Sequence, residues 1–319
     1  MADTLTEYAK LSNDVVERGV IEEIITADAL LAMLKFKGHS GNSYVYNRES
    51  TLPTSSVHQV GDTWASTKPT FSQKTATLAT VGVQTGLDLF IRDTRDNVND
   101  PKAVTISAMA KSLARKFSQL VIKGEPTDNA DEPEGLDSLV RGESRMMSMD
   151  AGTVGSTAGS DETELTLDRL DAMIDQVDDG QTKPDALVMN TTMRRKLTNL
   201  SRATGSGVLM DTIEMFGHKV RTYDGIPIVI NNWISDSEQY SAAGTWGSST
   251  ATTIFGLKLG QESGGFTVLH NGPVLSPRMY SLGIRRDKHE EEYRMAIYVQ
   301  PVVFSSKQII ALGGIDSAA

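Results

Sequence analysis

The sequence predicts an α+β fold hung on one long helix. Three observations carry that prediction: a capped amphipathic helix from Asp100 to Gly124, a Ser/Thr-rich extended stretch before it, and alternating helix and strand periods after it that give way to a β-rich final third. Asp100 is placed to accept a hydrogen bond from a free N–H of the first turn. Pro101 stands where a missing N–H costs nothing, and Gly124 is expected to take the left-handed conformation past the last turn. Between them Ile106, Met109, Leu113, Phe117 and Leu120 recur at steps of three and four, which puts them on one helix face. Such a helix is about 35 Å long, the width of a small domain. It reads as a spine onto which separate pieces pack; the plainer alternative is an ordinary core helix.

With 319 residues the chain is long enough for two domains, or for one with large insertions. It contains no cysteine, which excludes disulfides, cysteine–zinc sites and thiol nucleophiles. The formal net charge of −10 makes it a poor general nucleic-acid binder, because that affinity is built on neutralising phosphates. An acidic wall can still enclose nucleic acid without sticking to it. No run approaches the roughly 18–20 apolar residues of a membrane helix. The opening MADTLTEYAK lacks the basic and apolar regions of a secretory signal. A soluble chain with no membrane partner is expected.

Thr4 to Phe36 is expected to be a mostly helical arm. Leu5, Tyr8 and Leu11 keep the helical period, Val16, Val20 and Ile24 follow in a second run, and Asp28 restarts a shorter helix carrying Leu30, Leu31 and Leu34. That many apolar side chains need a surface, on this chain or on a neighbour. After a turn at Gly38 to Gly41, Ser43 to Glu49 alternates in the strand period with Tyr44 and Tyr46 on one face. Ser50 to Lys68 is polar apart from Leu52, Val57, Val60 and Trp64, and Thr70 to Val83 is extended again. Together these predict a long hairpin with almost no core of its own. Isolated two-stranded hairpins are marginal in water, so this one leans on something else. A partner subunit is the first reading and an unsupported insertion loop the second.

Past the spine helix an acidic loop, EPTDNADEPEG, breaks the fold, and a small-residue linker sets a domain boundary near Thr157. A helix over Glu164 to Val177 follows, then a buried strand in KPDALVMN and a basic helix over Thr191 to Leu200 opened by Thr191 or Thr192. Strands at Lys219 to Thr222 and Ile226 to Ile230 flank a turn, with Pro227 pointing to an edge. Asn231 to Ser249 is a long loop carrying Trp233, Tyr240 and Trp246, and Thr250 to Leu259 and Gly265 to His270 are expected to pair with each other. Tyr280 to Arg286, Glu292 to Val299 and Val302 to Ile310 complete the chain as strands.

Catalytic signals are missing. There is no Walker loop, no dinucleotide-binding GxGxxG after a strand, no GxSxG and no HExxH, and the histidines are scattered. Asp88, Asp93, Asp96 and Asp100 lack the spacing of a calcium loop, though a metal-dependent enzyme built on them stays open as an alternative. His289-Glu290-Glu291-Glu292 reads as a solvated acidic loop or a charge patch between subunits. Lys102, Lys111, Arg115, Lys116 and Lys123 of the spine are read as partners for carboxylates of an adjacent subunit in preference to phosphate. No catalytic residue, metal ligand or cofactor is assigned.

The order of helical arm, long hairpin, spine helix, α/β domain and returning strands resembles the major capsid proteins of tailed bacteriophages, whose Johnson fold is shared with encapsulin shells and herpesvirus capsid floors. TLTEYAKLSNDVVERGVIEEI and GNSYVYNRESTLP look like a phage major-capsid family. KPDALVMNTTMRRKLTNL resembles the core of its axial domain, GIPIVINN the strand after it, and YRMAIYVQPVVF the strands that return near the C-terminus. The resemblance implies an arm over 1–37, an extended loop over 38–85, a peripheral domain over 86–160, an axial domain over 161–272 and returning strands over 273–319. It implies a shell protein and not an enzyme, arranged as pentamers and hexamers around double-stranded DNA, in a virion assembled in the bacterial cytoplasm. Contacts between subunits are implied for Leu5, Tyr8, Leu11, Val16 and Val20 of the arm and for Val57, Val60, Trp64, Lys68 and Phe71 of the extended loop. Trp233, Tyr240 and Trp246 are implied at the capsomer axis. The partners implied are further copies of the chain, a portal protein and, in some relatives, a decoration protein. Because the chain opens almost directly at the arm, a separate scaffolding protein is expected. Lys68 and Lys74 are available for the isopeptide crosslinks that some relatives form, but no partner residue can be assigned. The alternative within the fold is an encapsulin-like compartment, a shell without a genome, whose cargo groove the arm would here occupy.

Overall fold

The computed structural model describes residues 29–64, 66–94, 101–150, 152–155, 163–203, 210–215, 218–237, 251–272 and 277–318. It opens on helix α1 (Ala29–Met33), whose Leu30, with the following Leu34, is buried, so the end of the arm is seated on the chain's own core. Strand β1 (Phe36–His39) leads into the hairpin strands β2 (Ser43–Thr51) and β3 (Thr70–Thr77). The extended run expected over Thr70 to Val83 is in fact two strands. Leu78 divides it by donating its N–H to the carbonyl of Asn42 at 2.8 Å, and β4 (Ala79–Asp88) then joins the body. Helix α2 (Leu89–Thr94), the spine α3 (Pro101–Lys123), α4 (Leu136–Gly142) and β5 (Met146–Ser148) follow. The second half comprises α5 (Leu167–Asp175), β6 (Ala186–Met189), α6 (Thr191–Ala203), β7 (Met210–Met215), β8 (His218–Tyr223), β9 (Ile226–Ile230) and β10 (Ala251–Leu257). Last come β11 (Phe266–Asn271), β12 (Arg278–Ile284), β13 (Glu290–Val303) and β14 (Ile309–Asp316).

Among the described residues the strands form three sheets. Strand β13 organises the first. β4 pairs along one edge of it, while β12 and then β11 share the other edge end to end, and β1 adds in parallel to β11. The second sheet has the order β5-β14-β10-β6-β9-β8-β7, and the hairpin β2–β3 is the third. The central strands of the second sheet are buried on both faces, which is why they carry continuous apolar runs. Val188, Val229, Phe255 and Ala311 face the core under the spine helix. Leu187, Ile228, Ile254 and Ile310 face a second core, closed by Leu170 and Met173 of α5 and Met193 and Leu197 of α6. Met109, Leu113, Phe117 and Leu120 of the spine are buried as their spacing predicts, in one core with Val81, Tyr293 and Ile297 of the first sheet. The buried face of the spine thus belongs to a core that residues of both sheets share.

β10 and β11 do not pair with each other. β10 lies between β14 and β6 in the second sheet, and β11 between β1 and β13 in the first. The turn between them carries the chain from one layer to the other, and Gly265 permits the close approach: a Cβ there would lie 2.3 Å from the carbonyl oxygen of Lys258. β5 likewise enters the second sheet ahead of the boundary expected near Thr157.

Other local expectations change for physical reasons. Gly124 is not left-handed; it is required because the acidic loop closes on it. Gly135 donates to its carbonyl at 2.8 Å, and a Cβ on Gly124 would lie 2.2 Å from the Pro133 carbonyl oxygen. Helix α6 is opened by Asn190 and not by Thr191 or Thr192, its side-chain oxygen accepting from the Met193 N–H at 2.8 Å. α5 begins at Leu167 beneath the cap of Thr166. Pro227 is not on an edge strand, since β9 runs between β6 and β8; its missing N–H is tolerated where β8 and β9 pair over only two residues each. Glu290 to Glu292 form no loop but open β13, which runs on past Pro301 to Val303. Glu290 is buried, Arg92 donates to Glu291 at 3.0 Å, and Arg285 pairs with Glu292 at 3.2 Å.

Candidate assembly surfaces

The hairpin is built in two parts of opposite character. At its root, Tyr44 and Tyr46 lie on one face of β2, as the strand period predicts, and pack on Phe304 just beyond β13, with ring centroids 6.1 and 5.2 Å away. The Tyr46 hydroxyl donates to the Val303 carbonyl at 3.1 Å. Burial raises the pKa of that hydroxyl, and the Arg48 charge offsets part of the rise. Arg48 reaches the body with three of its nitrogens. Nε donates to the Phe304 carbonyl at 2.7 Å, Nη2 to the Val303 carbonyl, and Nη1 pairs with Glu143 at 2.6 Å. Lys74, across the hairpin on β3, lies 3.7 Å from the same carboxylate. The root therefore leans on its own subunit, where the first sequence reading placed a partner.

The tip has no such support. Val57 and Val60 are fully exposed, at 101 % and 109 %, and Trp64, at 74 %, touches only the ring of His58 among described aromatic groups, at a centroid distance of 4.2 Å. Leu52, Lys68 and Phe71 are exposed too. The tip is nonetheless defined locally. Asp62 accepts from the Gln59 N–H at 2.8 Å, Gly61 supplies a positive φ of 99°, and the threonine hydroxyls of Thr67 and Thr70 tie the two limbs together. The tip is an exposed apolar surface held in shape by polar contacts, with no core beneath it among the described residues.

A second exposed apolar surface was missed by sequence reasoning. All seven residues of β12 are exposed, among them Met279, Tyr280, Leu282 and Ile284, and among the described strands it pairs only with β13. Its alternating apolar residues signal a strand that buries one face, but alternation does not say which molecule covers that face.

Of the site residues expected on the long loop and the arm, only Trp233 is among the described residues. Its indole N–H donates to Ser118 of the spine at 3.1 Å, and the Arg115 guanidinium lies 5.6 Å from its ring centroid. Tyr240, Trp246 and the arm residues Leu5, Tyr8, Leu11, Val16 and Val20 lie outside the described residues. Within the chain, Lys116 lies 3.4 Å from Glu132, Lys123 lies 3.9 Å from Asp137, and Lys102 sits over the Tyr293 ring. Asp88 accepts from the N–H of Phe90, and Asp93 pairs with Arg92. Asp96 and Asp100 lie outside the described residues, and no group of His, Asp and Glu placed to hold a metal occurs among the described ones. No described helix is long and apolar enough to cross a membrane.

Several solved structures share this fold at low identity. The holo-SrpI encapsulin of Synechococcus elongatus PCC 7942 is 17 % identical with a TM-score of 0.68, covering 100 % of this chain and 98 % of that one. The capsid of cyanophage A-1(L) is 12 % identical with a TM-score of 0.65, covering 93 % and 96 %. Mycobacterium phage Bobi gives 14 % identity and a TM-score of 0.60, covering 98 % of each chain. No curated protein matches the chain in sequence. The phage capsid family matches residues 11–255, from the arm into the second sheet's β10. Exposed tips without a core, a spine joining two sheets and a match over most of the sequence thus converge: the chain belongs to the phage capsid family and is a structural shell protein, not an enzyme.

Proposed function

We propose that this chain is the major capsid protein of a tailed bacteriophage, building an icosahedral head of pentamers and hexamers around double-stranded DNA. The observation that carries the reading is the hairpin, rooted in its own subunit and ending in an apolar tip with nothing beneath it. Such a tip is stabilised by burial on the next copy, and in a closed shell every copy both gives and receives that contact. Each interface is modest, yet the shell is stable because each subunit is held at several places. The net charge of −10 limits adhesion of the packaged genome to the wall. Partners in this role are further copies of the chain, a scaffolding protein during assembly in the host cytoplasm, a portal protein and, in some heads, a decoration protein.

The likeness to an encapsulin over the full chain favours a second reading, a shell enclosing protein cargo. Light scattering and negative-stain microscopy of the purified chain, with nuclease treatment and extraction of the particle contents, separate the two. Closed particles holding nuclease-protected DNA support the phage head; closed particles holding protein alone support the compartment. A monomer or dimer under every condition, with or without co-expressed neighbouring genes, sinks both.

A further inference from the structure

We propose that Arg48 and Glu143 form a latch that fixes the angle at which the hairpin leaves the body, and that this angle selects the curvature of the shell; the second half of the statement rests on the shell-forming function proposed above. The aromatic packing of Tyr44, Tyr46 and Phe304, with the Tyr46 hydroxyl bonded to the Val303 carbonyl, holds the hairpin against the end of β13, but none of these contacts ties it to the α4 end of the body. The Arg48 guanidinium is directional. Its planar fork reaches two successive backbone carbonyls and a carboxylate, so it fits in one orientation only. The pair is largely removed from water, with side-chain exposures of 12 % and 16 %, and a pair so placed is lost at a cost once one partner goes.

Glu143 sits where its own helix gives no reason for it. It caps the C-terminal end of α4, where the helix dipole disfavours a negative charge. Arg48 and Lys74 supply the compensating charge, and both come from the hairpin. α4 packs on the spine, so the carboxylate is fixed to the rigid part of the molecule. Beside the latch, Thr75 to Thr80 line an open cleft of about 620 Å³ whose other wall is the acidic loop at Pro126, Ala130 and Glu134. The root therefore has space to turn on that side, and directional contacts have to hold it.

Leverage makes the angle matter. From Arg48 to Val60 the chain spans at most about 40 Å, so a turn of about 10° at the root moves the tip by up to about 7 Å. That displacement is larger than a van der Waals contact, and it would change which surface of a neighbour the tip meets.

The test compares wild type with Glu143→Gln, Arg48→Met and Arg48→Lys. Each full-length chain is checked by circular dichroism and thermal melting, and its particle diameters are measured by electron microscopy. Glu143→Gln keeps the shape of the side chain and leaves the carbonyl bonds of Arg48 in place. The expected result is folded protein that loses the single wild-type diameter, giving mixed sizes, open sheets or no closed particle, with Arg48→Lys less affected than Arg48→Met. Folded Glu143→Gln that forms particles of the wild-type diameter overturns the latch, and this variant decides the matter even where Arg48→Met fails to fold. Failure of the wild-type chain to form particles counts against the shell function itself, and is separable from either outcome.

Discussion

β10 and β12 are strands of equal length and similar apolar content, yet every residue of β10 is buried and every residue of β12 is exposed. β10 has a strand on each side and a core on each face, one closed by α5 and α6 and the other shared with the spine helix. β12 has β13 on one side, and no described residue buries either of its faces. The hairpin repeats the contrast within one element, with its root paired to the body and its tip bare. An apolar strand therefore marks a surface to be covered and says nothing of whether its own chain or another copy covers it. In a chain that builds shells, those two destinations separate stability from assembly.

The contrast can be broken most sharply at Phe255, which is fully buried in β10. Phe255→Ala is expected to cost about 3–5 kcal/mol, read as a lower urea midpoint of the unassembled chain. Wild-type stability in this variant would mean that the second sheet is not the core it appears in the single subunit. Next, Gly124→Ala places a Cβ against the Pro133 and Leu120 carbonyl oxygens, and about 1–3 kcal/mol should be lost as the acidic loop is pushed off the spine. Ile284→Asp on β12 should change unfolding by no more than about 0.5 kcal/mol while lowering the yield of particles. Unchanged assembly would remove β12 from the contact surface and leave the hairpin tip as the exposed apolar element to explain.

The smallest effect sharpens the account of the hairpin root. Partial burial raises the carboxyl of Glu134 above its ordinary value of 4.5, Lys74 offsets part of this, and Glu143 adds to it. The folded state thus favours the protonated form, so the contribution of this site is intact below about pH 4.5 and is lost as pH rises through the raised value. Much of the side chain meets solvent, which keeps the effect small. Glu134→Gln should raise the thermal midpoint slightly near pH 7 and leave it unchanged near pH 4. A lower midpoint at pH 7 would show that the Lys74 attraction outweighs the desolvation.

What the sequence determined is local and periodic. The spacing of Met109, Leu113, Phe117 and Leu120 placed the spine and its buried face, because a helix repeats every 3.6 residues whatever it packs on. Tyr44 and Tyr46 were placed on one face of a strand by the same kind of argument, and the apolar run in KPDALVMN announced a buried strand, found as Ala186–Met189. The sequence also announced that the hairpin lacks a core. Tertiary structure alone decided which strands meet. β10 and β11 are neighbours in the chain and strangers in the sheets, because the turn at Gly265 sends them to different layers, and no local pattern records a change of layer. It also decided the partners of charged groups. Glu290, Glu291 and Glu292 read as a solvated run and instead open a strand, since ion pairs such as Arg92 with Glu291 join residues far apart in the chain. Arg48 and Glu143 carry no signal in sequence for the same reason: a directional ion pair depends on where two side chains are brought, and only the packed subunit brings them together.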